Sequence, residues 1–359
     1  MRVAYTVEQC WHEVPGGTAV ATLRLARELS TRDDVELVFV AGRHRRPPVD
    51  GFVPNGPVRM LPLARPWLYE TWLRLGWPRV EAATGVVDVV HATAGVPAAT
   101  AMPLVVTLHD VAFLRRPDRL TRHGARMLTR AVEVARRAEL VTCPSETVRR
   151  DLLEHGFDPD RVMVIPWGVD PVAVDATMVE DARRRLGLPE RFVLAVATLE
   201  PRKNLGRLIE AMTRLDEPMP LVVAGAPGWG GVSDELQARG SSLDVRFLGP
   251  VNASLLPGLL AASDLLAYPS EEEGFGLPVL EAMAVGTPVV TSRGTATEDV
   301  AGDAAVLVDP FDIESIAAGI AECARRHDEL VVAGRDRAAR FTWSATADAA
   351  LSAYSQVLP

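Results

Sequence analysis

The sequence predicts an α/β fold of two doubly wound halves, each a parallel sheet covered by helices. Three observations carry that expectation. Short apolar runs of strand length alternate with segments of helical spacing from one end of the chain to the other. Those runs are continuous rather than alternating polar and apolar, as strands buried on both faces require. The length, 359 residues, is too great for one typical domain and suits two.

Element by element, Arg2–Val7 reads as the first strand. Gly16-Gly17 follow, and Thr18–Leu29 then places Val20, Leu23, Ala26 and Leu29 at helical spacing. Val35–Ala41, Val86–His91, Leu104–Leu108, Leu140–Cys143 and Val162–Pro166 complete the first set of strands. Gly168-Val169-Asp170 interrupts the pattern and puts a boundary near Trp167–Pro171. The second set is Phe192–Ala197, Leu221–Ala224, Val245–Leu248, Leu265–Tyr268, Pro288–Thr291 and Ala305–Val308. Helical segments Leu205–Met212, Leu255–Ala262 and Val279–Ala284 lie between them, and no sequence repeat links the halves. From Phe341-Thr342-Trp343 to Tyr354 the chain reads as a last helix. The expected domains are residues 1–168, residues 169–340 and a terminal helix at 341–359.

Composition excludes several classes. Hydrophobic content of 48% with 24% charged residues is ordinary globular composition. A net charge of −9 argues against a nucleic-acid binder. The three cysteines, Cys10, Cys143 and Cys323, are scattered and odd in number, so neither a disulfide framework nor a metal site is expected. Charge at Arg2 and Glu8 interrupts the N-terminus too early for a signal peptide, and no apolar run is long enough to span a bilayer. A cytoplasmic location is expected.

The most informative stretch runs P-S-E-E-E-G-F-G-L-P-V-L-E-A-M-A from Pro269 to Ala284. A carboxylate at Glu273 precedes the turn Gly274-Phe275-Gly276. Pro278 suits the first turn of a helix, which places Glu281 within that turn. Glycines let backbone N–H groups approach a ligand, and a helix N-terminus favours phosphate. Flanking carboxylates accept hydrogen bonds from sugar hydroxyls. A nucleotide sugar needs that combination.

Glu273 to Glu281, with seven residues between, resembles the E-x7-E signature of the retaining glycosyltransferases of family 4, whose fold is GT-B. Val164 to Asp170 is similar to the family's linker motif, with Trp167 where Asn is usual. Gly302 to Ala305 and Leu307 to Pro310 are similar to its late motif. The resemblance implies two Rossmann-like domains facing a cleft, with the terminal helix crossing back to the first domain. It implies a nucleoside-diphosphate sugar in the second domain and a glycan, lipid-linked or small-molecule acceptor in the first. No cofactor and no metal are expected.

The resemblance also implies roles. Glu281 holds the ribose hydroxyls and Glu273 the donor sugar, with Glu271 and Glu272 solvated beside it. Gly274, Phe275, Gly276 and Leu277 line the donor. Leu199-Glu200-Pro201-Arg202-Lys203-Asn204 supplies positive charge for the leaving phosphate. Lys203 matches the Lys of the family's R-x4-K pair, but Thr198 occupies the place of its Arg, and Arg202 is the candidate substitute. Loops at Gly225-Ala226-Pro227-Gly228 and at Phe247 to Val251, with Gly249 and Pro250, are expected at the base. In the first domain the matches are Gly16-Gly17 and His109-Asp110, with His109 at the reaction centre. The Thr198 to Asn204 segment resembles bacterial mannosyltransferases, so GDP-mannose is the first donor expected and a UDP-sugar the alternative.

Other features weigh less. Asp158-Pro159-Asp160 is the one D-x-D and reads as a turn before a strand rather than a metal site. Arg115, Arg116, Arg119, Arg122, Arg126 and Arg130, downstream of Trp67, Tyr69, Trp72 and Trp77, suit peripheral contact with an anionic membrane. A dinucleotide-dependent oxidoreductase, also doubly wound, is the rival enzyme class, but its G-x-G-x-x-G is missing. Thr198 leaves open a non-catalytic sugar-nucleotide-binding subunit.

Overall fold

The computed structural model describes residues 1–116, 121–228 and 243–358. Two compact units form: Met1–Gly168 together with Trp343–Pro359, and Val169–Thr342.

The first unit holds β1 (Arg2–Thr6), β2 (Glu36–Ala41), β3 (Val58–Met60), β4 (Val89–Ala92), β5 (Leu104–Thr107), β6 (Leu140–Cys143) and β7 (Val162–Val164). They lie in the order β3-β2-β1-β4-β5-β6-β7, all parallel. The order reverses between β1 and β4, with Tyr5 facing His91 in register. The strand expected from Val86 starts only at Val89. Val86 is 78% exposed, and the Asp88 carboxylate accepts the Arg2 N–H at 2.6 Å instead. Strand β3 was not expected: it is three residues at a sheet edge with Met60 44% exposed, so it shows no apolar run.

The helix Trp343–Val357 belongs to this unit. Its buried face, Ala347, Ala350, Ala353 and Tyr354, packs in one core with Val3, Tyr5, Val89 and Val105. Small side chains let the helix lie close to the sheet, and Tyr354 is the one large, fully buried exception on this face. Its hydroxyl lies 2.7 Å from His91 Nδ1.

The second unit holds β8 (Val193–Val196), β9 (Leu221–Ala224), β10 (Val245–Gly249), β11 (Leu265–Tyr268), β12 (Val289–Ser292) and β13 (Val306–Val308). Their order is β10-β9-β8-β11-β12-β13, again all parallel. The reversal falls between β8 and β11, where Leu194 faces Leu266. Val, Leu and Ile from strands and helices form its core. Among the described residues no helix is long and apolar enough to cross a membrane.

Candidate active site

Open α/β sheets bind ligands beyond the carboxyl ends of their strands, where the strand order reverses. In the second unit that point is flanked by the loops after β8 and β11. The first loop continues the ladder: Ala197 N–H donates to Ala224 O at 2.9 Å and Leu199 N–H to Ala226 O at 3.1 Å. Gly225 permits this approach, since a Cβ there would lie 1.9 Å from Ala197 O. The chain then makes a 3-10 turn, Pro201–Lys203, closed by Asn204 at φ 59°. Asn is among the residues that tolerate this region. Its Nδ2 donates to Pro269 O at 2.9 Å and Pro310 O at 2.6 Å, tying three strand-end loops together.

The second loop turns into the helix Leu277–Val285 at Gly276, whose φ is 101°. A Cβ at Gly276 would lie 2.6 Å from Thr297 Cγ2, so no larger residue fits. Phe275 is buried, edge-on to Phe341 at 6.1 Å, and Leu277 is buried too. These two side chains are core, so the Gly274 to Leu277 segment can meet a ligand only through its backbone. Pro278 sits in the first turn and starts the helix earlier than Val279. Glu281 is therefore its fifth residue and lies in the second turn, not the first.

The charged side chains converge. Lys203 Nζ lies 2.5 Å from Glu273 Oε1, and Arg202 Nη1 lies 3.2 Å from Glu273 Oε2. Lys203 also donates to the Tyr268 hydroxyl at 2.8 Å and sits 5.1 Å over that ring. Arg202 Nε reaches Glu200 at 2.8 Å. Lys203 and Glu273 are almost fully buried, with side-chain exposures of 8% and 7%. Burial pushes the Glu273 carboxyl up, but Lys203 and Arg202 outweigh it and hold it at about 2. Burial pulls the Lys203 ammonium down, opposed chiefly by Glu273. The two cations thus share one carboxylate, and Glu200 and Glu273 balance their charge locally.

Glu271 departs from expectation. Its side chain is 10% exposed and pairs with Arg207 at 2.7 Å, so it is not solvated. Tyr268 and Arg207 carry no motif in the sequence, and Asn204 enters it only as the end of the Arg-Lys segment. Tyr268 closes the strand next to the E-x7-E motif, and Asn204 closes the Arg-Lys turn. Thr198 is half-buried in the loop after β8, and Gly249 ends β10 at φ 69°, its carbonyl taking the Gly225 N–H at 2.9 Å. Pro250 beside it is exposed. Trp229 and Gly230, after the Gly225 loop, lie outside the described residues.

In the first unit His109 follows β5. Its Nε2 lies 2.6 Å from Thr93 O. A carbonyl only accepts, so Nε2 carries the proton and Nδ1 is an acceptor, buried and unpartnered. Burial pulls this imidazole below its usual range, opposed by the Thr93 hydrogen bond and Asp110. Trp167 packs edge-on at 5.4 Å. Asp110 takes the Ala112 N–H at 3.3 Å and orients the loop. Gly16 and Gly17 open the helix Gly16–Leu29, Gly16 at φ 63°. Asp158 caps a 3-10 turn by accepting Asp160 N–H at 3.1 Å.

The aromatic and arginine group divides. Tyr69 and Trp72 are core, and Trp72 Nε1 donates to Pro78 O at 2.8 Å. Trp67 and Trp77 are 69% and 53% exposed. Arg115 pairs with Asp151 at 2.5 Å and Arg130 with Glu133 at 2.8 Å. Arg119 lies outside the described residues.

Comparison with known proteins adds to this geometry. Residues 179–334 match the family model "Glycosyl transferases group 1", and residues 15–173 match "Glycosyltransferase Family 4". The O-antigen chain mannosyltransferase B of Escherichia coli is 31% identical over 266 residues, 70% of this chain and 69% of that protein. The D-inositol 3-phosphate glycosyltransferase of Stackebrandtia nassauensis is 32% identical over 386 residues, 96% of this chain and 87% of that protein. Among solved structures, HepE of Anabaena in complex with UDP and glucose superposes with a TM-score of 0.74 at 21% identity, covering 99% of each chain. Sucrose-phosphate synthase of Thermosynechococcus elongatus gives 0.76 at 21% identity, covering 99% of this chain and 98% of that one.

Proposed function

We propose, from the premise that this chain belongs to glycosyltransferase family 4 and is a glycosyltransferase with the GT-B fold, that it moves a hexose from GDP-mannose to a hydroxyl acceptor, with retention. The observation that carries the donor site is the convergence of Lys203, Arg202 and Glu273 beside the N-terminal end of the helix bearing Glu281. Backbone N–H groups at that end favour the diphosphate. Lys203 and Arg202 balance the charge that builds on the leaving phosphate, without a divalent ion. Glu281 accepts hydrogen bonds from the ribose, and Glu273 faces the transferred sugar. Backbone groups near Gly249 and Pro250 meet the base, and Thr198 leaves room at the phosphate where the family has Arg. The leaving phosphate takes the proton of the incoming hydroxyl.

The acceptor, a glycan, lipid-linked or natural-product hydroxyl, is held by the first unit. There His109 Nδ1 accepts a hydroxyl hydrogen, and the N–H groups of Gly16 and Gly17 supply further donors. The mannosyl assignment is supported by the Thr198 to Asn204 segment and by the 31% identity to the E. coli mannosyltransferase. Calorimetric titration with GDP, UDP, ADP and dTDP, each with and without magnesium, tests it. GDP should bind most tightly and be indifferent to the metal. Glu281→Ala should weaken it ~100-fold or more, since two charge-assisted hydrogen bonds are lost. Unchanged affinity in that variant removes the site assignment, and failure of every diphosphate makes a non-catalytic subunit the better reading.

The first unit also offers a membrane surface. Trp67 and Leu75 are strongly exposed on one helix, Trp77 follows it, and that helix packs beside Arg126 and Arg130. Aromatic and basic side chains together suit anionic headgroups. Sedimentation with liposomes at low salt should show binding only when anionic lipid is present; no lipid-dependent binding ends this part of the proposal.

A further inference from the structure

The first unit carries a second group of polar side chains that the donor site does not use. They gather beyond the carboxyl ends of β1 and β2, beside the point where that sheet's strand order reverses. The 3-10 turn Glu8–Trp11 follows β1 and leaves Glu8 only 2% exposed. One Glu8 oxygen accepts the Gly42 N–H at 2.7 Å. The other, Oε1, lies 3.0 Å from His44 Nε2 without hydrogen-bond alignment, and neither atom has another partner. The Tyr69 hydroxyl is buried and unpartnered, as is His12 Nε2. Glu8 lies close enough to His12 and Tyr69 to bear on the titration of both.

Buried polar atoms in native proteins are paired almost without exception. Two unpaired ones, the Tyr69 hydroxyl and His12 Nε2, beside a Glu8–His44 contact that lacks hydrogen-bond alignment, call for a function at the end of a parallel sheet where ligands bind. Their chemistry selects the ligand. A buried carboxylate disfavours an anion beside it and needs a hydrogen-bond donor. A hydroxyl meets that need, and the Tyr69 hydroxyl and the imidazole nitrogens can exchange hydrogen bonds with further hydroxyls. Trp11 stacks on His44 at 4.4 Å and 6°, and this flat ring pair complements the C–H face of a saturated ring. Arg65, exposed and near His12, and the exposed Arg43, Arg45 and Arg46 around His44 are the groups that would favour a phosphorylated ligand instead.

We infer that this cluster forms part of the acceptor site, and that it takes a neutral, hydroxyl-rich ring, with Glu8 and Tyr69 fixing its hydroxyls. The inference rests on the glycosyltransferase reading above, which puts His109, Gly16 and Gly17 at the acceptor; it adds Glu8 and Tyr69 to them and narrows the acceptor's chemical class. The test is a ligand-observed NMR titration of the full chain. The probes are methyl α-mannopyranoside, methyl α-glucopyranoside and myo-inositol, each beside a phosphorylated counterpart. A neutral ring should bind, and Glu8→Gln and Tyr69→Phe should each weaken it by ~10-fold. Binding of the preferred nucleoside diphosphate should stay within ~2-fold in both variants, as for a separate site. Tyr69→Phe removes one oxygen and keeps the ring beside Trp72. The inference falls if no neutral ring binds, if the phosphorylated ring binds more tightly, or if neither variant changes the affinity. Absence of any nucleoside-diphosphate binding to the unsubstituted chain counts instead against the glycosyltransferase reading.

Discussion

Glu273 sits between two cations, so substitutions there separate holding the diphosphate from acting on the sugar. Glu273→Gln keeps the shape and an oxygen for Lys203 but removes the charge. If Glu273 faces the transferred sugar, turnover should fall by ~100-fold or more, the size of effect seen when one preorganised group is lost. Affinity for the bare diphosphate should hold or rise, because a carboxylate near the phosphate has gone. Lys203→Ala should do the opposite to binding and weaken the diphosphate ~10-fold or more. It also removes the closer of the two cations from a buried Glu273, and breaking such a pair costs roughly 3–5 kcal/mol. Paired calorimetry and urea denaturation check both variants. If Glu273→Gln lost diphosphate affinity as Lys203→Ala does, the two residues would share one role and the assignment to the sugar would fail. The low Glu273 pKa adds a pH dependence: its contribution is present above the unfolded value of 4.5 and is lost as pH falls toward about 2.

At the scale of elements, the helix Trp343–Val357 is tied to the first unit's sheet by the Tyr354 hydroxyl at His91 Nδ1. Tyr354→Phe leaves that buried nitrogen unpaired and should cost about 1–3 kcal/mol in urea denaturation. An unchanged midpoint would mean that the alanine face alone seats the helix. The alanines and tyrosine are legible as a helix in sequence, because their spacing is local. Leu140–Cys143, Leu221–Ala224 and Leu265–Tyr268 are legible for the same reason, being continuous apolar runs. Strand β3 is not, since two of its three residues are exposed and it owes its conformation to β2 alongside. The start of β4 is misread because Val86 belongs by composition to a run from which Asp88 cuts it off. In the site, the E-x7-E string and the Arg202-Lys203 turn stand out because glycine, proline and charge occur together there. The burial of Glu271 does not, because Arg207, its partner, comes 64 residues earlier in the chain. Glu8, His12, His44 and Tyr69 carry no motif at all, and only the fold brings them together.

At the scale of the whole molecule the two units differ in how they meet acid. Six of the seven histidines, counted from the sequence, lie in the first unit, and His327 alone lies in the second. Burial holds His91 at about 3 and His12 at about 4, and it lowers His109 as well. Each is neutral when folded and takes a proton near 6.5 when unfolded, so the unfolded chain binds more protons below that pH. Stability of the first unit should therefore be full above about 6.5 and decline as pH falls toward 3. The second unit's one histidine, His327, is exposed. The unit's buried ion pair at Glu273 keeps its value until pH drops below the ordinary carboxylate range. Acid should therefore unfold the first unit first. Six of the seven tryptophans lie in that unit, and Trp229 is the exception, so tryptophan fluorescence follows it selectively, whereas far-ultraviolet circular dichroism follows both. Titrated downward from pH 7 in a fixed moderate urea concentration, the fluorescence transition should precede the dichroism transition. His91→Gln, which offers hydrogen-bonding groups to Tyr354 and Thr107 but cannot titrate, should flatten the first unit's pH dependence between 6.5 and 3. Coincident transitions in the unsubstituted chain would show that the two units unfold as one and that the buried imidazoles do not set the order.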